Sequence, residues 1–159
     1  MAGEIVHGMR ELMAGFGNFP EKLQRKAMTK VMRAGGRPIV LAARGKVARV
    51  SGALARSIRV TVVRRRGVVI ARIIAGRRVK KDDPFYAWMV EGGTKPHEIR
   101  PKGSKSLFFA GLFSEVVQHP GAKAKPYLLP ALEEAAQAAV DAMQAELAEQ
   151  IEALGGLSG

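Results

Sequence analysis

The segment that most limits the fold closes the chain: Leu132, Ala136, Ala139, Met143, Leu147, Ile151 and Leu154 recur at intervals of three or four residues. That spacing gathers them into one stripe of an α-helix, with Glu133, Asp141, Glu146 and Glu149 on other faces. A long amphipathic helix is therefore predicted to begin at Pro130 and to stop at the glycines of "GGLSG", leaving a flexible tail over 155–159. The rest of the chain, residues 1–154 counted as one domain, has to supply the surface on which that rod packs.

Two further helical stretches precede it. Ile5, Met9, Leu12, Met13 and Phe16 predict a short amphipathic helix that Gly15 and Gly17 stop. A second helix is predicted from "NFPEKL", with Asn18 as cap, Pro20 in the first turn and Glu21 at the positive end of the dipole. It runs through Leu23, Ala27, Met28 and Val31 to about Ala34, where "GGRP" at 35–38 is read as a break or kink, and it resumes from Ile39 to Val50.

After Ser51 and Gly52 the pattern changes. Ile58, Val60 and Val62 alternate with Arg59, Thr61 and Val63, and β-branched residues flank "RRRG", which predicts a β-hairpin tipped by Arg65, Arg66 and Gly67. "GRRVKKDDP" then reads as a solvated loop. "FYAWMVEGGT" is read as a short helix ended by Gly92 and Gly93, a strand being the alternative, with Tyr86 and Trp88 assigned to the core. "HEIRP", "SLFFAG" and "FSEVVQ" read as three short strands. Joined to the hairpin they would form a mostly antiparallel twisted sheet of about four or five strands, so the fold class is α+β, with the C-terminal helix packed on that sheet.

Charge is divided along the chain. From Lys22 to Lys81 there are 19 Lys or Arg and no acid, whereas from Ala131 to the end there are six acids and no base. Such asymmetry points to a nucleic-acid or membrane partner, or to a subunit whose basic part meets a neighbour's acidic part. The basic hairpin and loop, Arg64, Arg65, Arg66, Arg77, Arg78, Lys80 and Lys81, form the candidate partner-binding surface. "GVVIARIIAG" is too short to span a bilayer and carries Arg72, so no membrane partner and a soluble protein are expected, and the N-terminus lacks the pattern of a secretory leader.

Chemistry finds little support. With no cysteine in the chain, thiol nucleophiles and Cys-based zinc sites are excluded. His7, His97 and His119 are the only histidines. Glu91, Glu98, Asp82 and Asp83 lie near the last two in sequence, but the spacing fits no ligand motif, and the histidines are read as hydrogen-bonded turn residues. "KGSKS" lacks the following helix that a phosphate loop requires and reads as a strand connection. No catalytic, cofactor or metal residue is assigned, and no enzymatic activity is expected.

From residue 86 onward the order of motifs resembles the gene-product-ten-like family of phage neck proteins, the tail-completion or head–tail joining proteins of long-tailed phages and prophages. The residues that carry the resemblance are Tyr86, Val90, Glu91, Gly93, Thr94, His119, Pro120, Gly121, Pro126, Tyr127, Leu128, Pro130 and Ala131. "SGALARSI" is similar to the family's Gly-x-Leu-x-x-Ser step through Gly52, Leu54 and Ser57. Departures are Tyr127 where phenylalanine is common, and the unusually basic hairpin. The resemblance implies a structural virion component at the neck, forming a homo-oligomeric ring, a hexamer, that meets the head connector and the tail tube or tail terminator. The alternative readings from the residues themselves are a basic nucleic-acid-binding module and, less favoured, a small hydrolase or nuclease, with non-specific DNA contact as a further partner. Physical chemistry explains the residues themselves: Pro120 and Gly121 turn the chain, Pro126 and Pro130 hold and start the helix entry, and Tyr127 and Leu128 anchor it.

Overall fold

A computed structural model describes residue 17 and residues 20–47, 52–76, 84–102, 106–109 and 111–155. The helix read over 5–16 and the loop residues 77–83 lie outside these. The order is α1 (Glu21–Lys46), α2 (Ala53–Ser57), β1 (Arg59–Arg65), β2 (Val68–Ile74), α3 (Ala87–Gly92), β3 (His97–Ile99), β4 (Leu107–Phe109), β5 (Leu112–Ser114), β6 (Val117–His119) and α4 (Leu128–Gly155). This is the α+β class, with long helices towards both ends. No described helix is long and apolar enough to cross a membrane.

The chain forms two compact units, one from residues up to Pro84 together with those from Tyr127 onward, the other Phe85–Pro126. In the first, α1 and α4 lie against each other. Ala27, Val31, Leu147 and Leu154 form the buried cluster, flanked by Leu23, Met28, Met143 and Ile151. Further along α1, Gly35 faces Met143 and Ala139, and Lys46 pairs with Glu134, so contacts climb one helix as they descend the other and the pair is antiparallel.

The expected break at "GGRP" does not occur: α1 runs unbroken from Glu21 to Lys46 with Pro38 inside it. Proline in a helix interior costs about 3 kcal/mol, yet Ala34, Gly35 and Gly36 before it and Val40 and Ala43 after it are all buried. The glycines are packing devices rather than breakers. A Cβ on Gly35 would collide with Met143, and one on Gly36 with Val60 of the hairpin, so α1 is gripped on two sides where its backbone is barest. Pro20 occupies the N-cap, one position earlier than read, and Asn18 is outside the described residues.

The hairpin forms as expected. β1 and β2 pair antiparallel from Arg59↔Ile74 to Arg65↔Val68, closed by Arg66 and Gly67 with φ 49° and 81°. Two positive φ values at the tip suit the right-handed twist of the strands. Ser57, at the end of the Gly-x-Leu-x-x-Ser step, is buried; its hydroxyl donates to the Leu54 carbonyl (2.7 Å) and accepts from the Gly76 amide (2.9 Å), fastening the foot of the hairpin.

The larger sheet is not assembled. Among the described residues the strands form three two-stranded ladders, β1–β2, β3–β6 and β4–β5. "FSEVVQ" is split because the Ser114 hydroxyl donates to the Val116 carbonyl (2.6 Å) and accepts from its amide (3.3 Å), a side-chain turn that competes with continued pairing. The rod therefore rests chiefly on α1. Its buried line also differs in its first turns: Ala131, Ala135 and Ala139 are buried, whereas Leu132 is exposed, as is Ala136. Small side chains at intervals of four let α4 approach α1 closely where Gly35 faces it.

Candidate interaction surfaces

The motif residues after Tyr86 are brought together by backbone rather than by functional groups. Thr94 and Ala122 exchange amide-to-carbonyl bonds of 2.9 and 3.1 Å, and the Lys125 amide donates to the Val90 carbonyl at 2.8 Å. "VEGGT" and "HPGAKAKP", nearly thirty residues apart in sequence, are thus the two jaws of one clasp. Gly93 and Gly121 have φ of 70° and 82°. A Cβ on Gly93 would sit 2.6 Å from the Ala122 carbonyl oxygen, and one on Gly121 would strike the Thr94 carbonyl, so close approach and left-handed backbone both demand glycine.

His119 sits directly opposite His97 in the β3–β6 ladder, and the rings stack with centroids 4.9 Å apart. The His97 Nδ1 faces the Lys95 carbonyl at 2.9 Å and donates to it, since a carbonyl can only accept. His119 Nδ1 accepts from the Gly121 amide at 3.0 Å. Both rings therefore pin turns, as expected from the sequence, and Pro120 lies exposed between the second ring and its bond. Glu98, one residue on, accepts from Arg100 and from Gln118 of the opposite strand; the Arg100 guanidinium first, and Gln118 second, hold its carboxyl below the usual glutamate range. Among the described residues no group of three or more His, Asp or Glu is placed to hold a metal ion.

Trp88, Ile99 and the two histidines border an open groove of about 820 Å3. Here the assignment of Trp88 to the core is corrected: Trp88 is 65% exposed, while Tyr86 is half-buried; Phe85 beside them is 73% exposed. A six-residue α3 has too little length to bury every side, and Ala87 is the face it hides. Of the remaining motif residues, Glu91 is half-buried in α3 and Pro126 is exposed. Tyr127 is 1% exposed and anchors the first unit, and Pro130 falls in the first turn of α4, where a missing amide costs nothing.

The basic residues divide. Arg77, Arg78, Lys80 and Lys81 are outside the described residues. Arg65 and Arg66 are exposed at the hairpin end. Arg64 is held: its guanidinium donates to the Arg25 carbonyl (2.8 Å) and reaches the Thr29 hydroxyl (3.4 Å), tying β1 to α1. Beside it Lys22, Arg25, Lys26 and Lys30 border a cleft of about 580 Å3, and Arg25 also pairs with Glu21. Arg44 and Arg59 likewise serve the fold, donating to the carbonyls of Ile58 and of Ser57 and Gly76. The cationic face of α1 was not singled out by sequence reading, because a helix broken at "GGRP" hides the continuity of its spacing.

No protein-family model, curated protein or solved structure matches the chain.

Proposed function

We propose that the chain is a structural subunit of the head–tail junction of a long-tailed phage or prophage particle, completing the head-proximal end of the tail as a homo-oligomeric ring. The observation that supports this reading is the clasp. The residues that carry the resemblance to neck proteins, Gly93, Thr94, His119 and Gly121, are spent on backbone geometry and on mutually pinned turns, while Pro130 and the buried Tyr127 start helix α4. Such residues shape a surface; they do not arrange a nucleophile, a base and an electrophile around a reacting atom. The partners proposed are further copies of the chain, the head connector, and the tail tube or tail terminator.

Native mass spectrometry followed by imaging tests the proposal. A closed ring of defined stoichiometry that binds to tails lacking this protein is the expected result, and a protein that neither self-associates nor binds such tails would sink it. A nucleic-acid-binding module is the second reading, favoured by the cleft of Lys22, Arg25, Lys26 and Lys30. It would show duplex binding that weakens steeply with salt in the absence of any ring.

A further inference from the structure

The continuity of α1 creates a feature that a broken helix would not. Lys22, Lys26, Lys30, Arg33, Arg37 and Arg44, the last also donating to the Ile58 carbonyl, follow one another at intervals of four, four, three, four and seven residues, and all are exposed. At 3.6 residues per turn they fall within an arc of about 80° and extend for about 33 Å. On α4, Glu134, Asp141 and Glu152 share an arc of about 20°, flanked by the equally exposed Glu133 and Glu149, over about 28 Å. One molecule carries a cationic rod and an anionic rod of similar length.

These two stripes cannot meet within one chain. Beyond Glu134, which reaches Lys46, the acids Asp141 and Glu152 lie on the side opposite Ala139 and Gln150, which are buried, and so face away from α1. The cations of α1 lie well round from Ala27, Val31 and Gly35, the residues turned toward α4. Only Lys46 and Glu134, at the joined ends of the pair, bridge the helices among the described residues. Because the stripes face away from each other across the helix pair, a two-fold contact does not bring both together at once. One copy's α1 meets the next copy's α4, a heterologous contact that propagates until it closes.

We infer that the α1 stripe is a subunit-docking surface whose occupant is the acidic outer face of α4 from a neighbouring copy of this chain. This inference rests on the ring proposed above and names its contact. A duplex phosphate backbone would also attract the cations, but it would leave the α4 acids without a counterpart, whereas a second copy satisfies both stripes. Exposed pairs gain little individually and are screened by salt, so the contribution to affinity comes from their number along the two stripes, which also sets register and the rate of encounter.

A charge-swap experiment on the full chain decides it. One variant carries Lys22→Glu, Lys26→Glu, Lys30→Glu, Arg33→Glu and Arg37→Glu; the other carries Glu133→Lys, Asp141→Lys, Glu149→Lys and Glu152→Lys, so that each stripe changes sign while the Lys46–Glu134 pair stays intact. Sedimentation of the parent is expected to show assembly that weakens at least about tenfold between roughly 50 and 500 mM salt, over which the screening length falls from about 14 to about 4 Å. Each variant alone is expected to remain monomeric, and an equimolar mixture to recover assembly, because each reversed stripe then meets its opposite on the other variant. Recovery also proves that both variants fold. A parent that forms rings while both variants form them equally well overturns the docking contact and leaves the ring standing; failure of the mixture to recover overturns it likewise. A parent that never assembles overturns both. Loss of duplex DNA binding by the α1 variant with unchanged assembly mass assigns the stripe to phosphate and overturns the inference.

Discussion

The helix unit and the Phe85–Pro126 unit are held together in different ways. The first buries whole side chains: Tyr127, Ile58, Leu147 and Val31 are each under 2% exposed. In the second, Ala87 is the one buried side chain among the described residues, while Phe108, Leu112 and Phe113 stand out, with Phe113 76% exposed. Cross-strand contacts such as Phe108 against Phe113, 5.1 Å between centroids, and the Thr94–Ala122 clasp take the place of a core. Burial tolerates changes of sequence that keep volume, whereas a glycine clasp tolerates almost none at its turns. The same chain therefore has one part specified by composition along a stripe and one part specified by individual residues.

The comparison can be broken most severely from the helix side. Tyr127→Ala, which removes a fully buried aromatic, is expected to cost about 3–5 kcal/mol in denaturant unfolding; a loss below about 1 kcal/mol would mean that the anchor is not part of the core. Gly36→Ala comes next, at about 1–3 kcal/mol of destabilisation, since the new methyl must displace Val60. Its control is Gly45→Ala, where a Cβ meets nothing, and the helix is expected to gain roughly 0.5–1 kcal/mol. Opposite signs for two glycines of one helix would show that packing, and not helix propensity, retains Gly36.

On the clasp side, Gly121→Ala forces a side chain into a left-handed position and against a carbonyl, a strain of about 1–2 kcal/mol before the collision is counted. Hydrogen exchange at the Thr94 and Ala122 amides should accelerate while amides of α1 around Val31 keep their protection. Equal acceleration in both places would abolish the distinction between the units. The smallest effect belongs to Glu98. Its folded carboxyl titrates below the unfolded one, so its contribution is present above the unfolded value and is lost as pH falls through the folded one. A carboxyl NMR titration should place it below ordinary glutamates and return it upward in Arg100→Gln, with no measurable change in unfolding midpoint because the pair is solvent-exposed.

Much of this architecture was legible in residue order. The hairpin and its tip could be read because alternation of β-branched residues and a glycine turn are local signals, and Tyr127 could be read as an anchor because prolines on both sides fix the entry to α4. Trp88 could not be placed, since hydrophobicity says that an aromatic can be buried, not that a six-residue helix has room to bury it. The first turns of α4 were misphased for a related reason: Leu132 is the more apolar residue, but Ala131 is the one on the side that is buried.

What the sequence determined by itself was therefore whatever depends on neighbours in the chain: helix periodicity, strand alternation, the glycine and proline turns, and the division of charge between the two ends. What only the tertiary structure decided was whatever depends on contacts between distant segments. "GGRP" stays helical because α4 and the hairpin close on both sides of it, and "VEGGT" finds "HPGA" across a long excursion. The physical reason is one of scale. The helix penalties of glycine and proline are about 1 and about 3 kcal/mol, and a few buried side chains brought together from far apart are enough to overrule them.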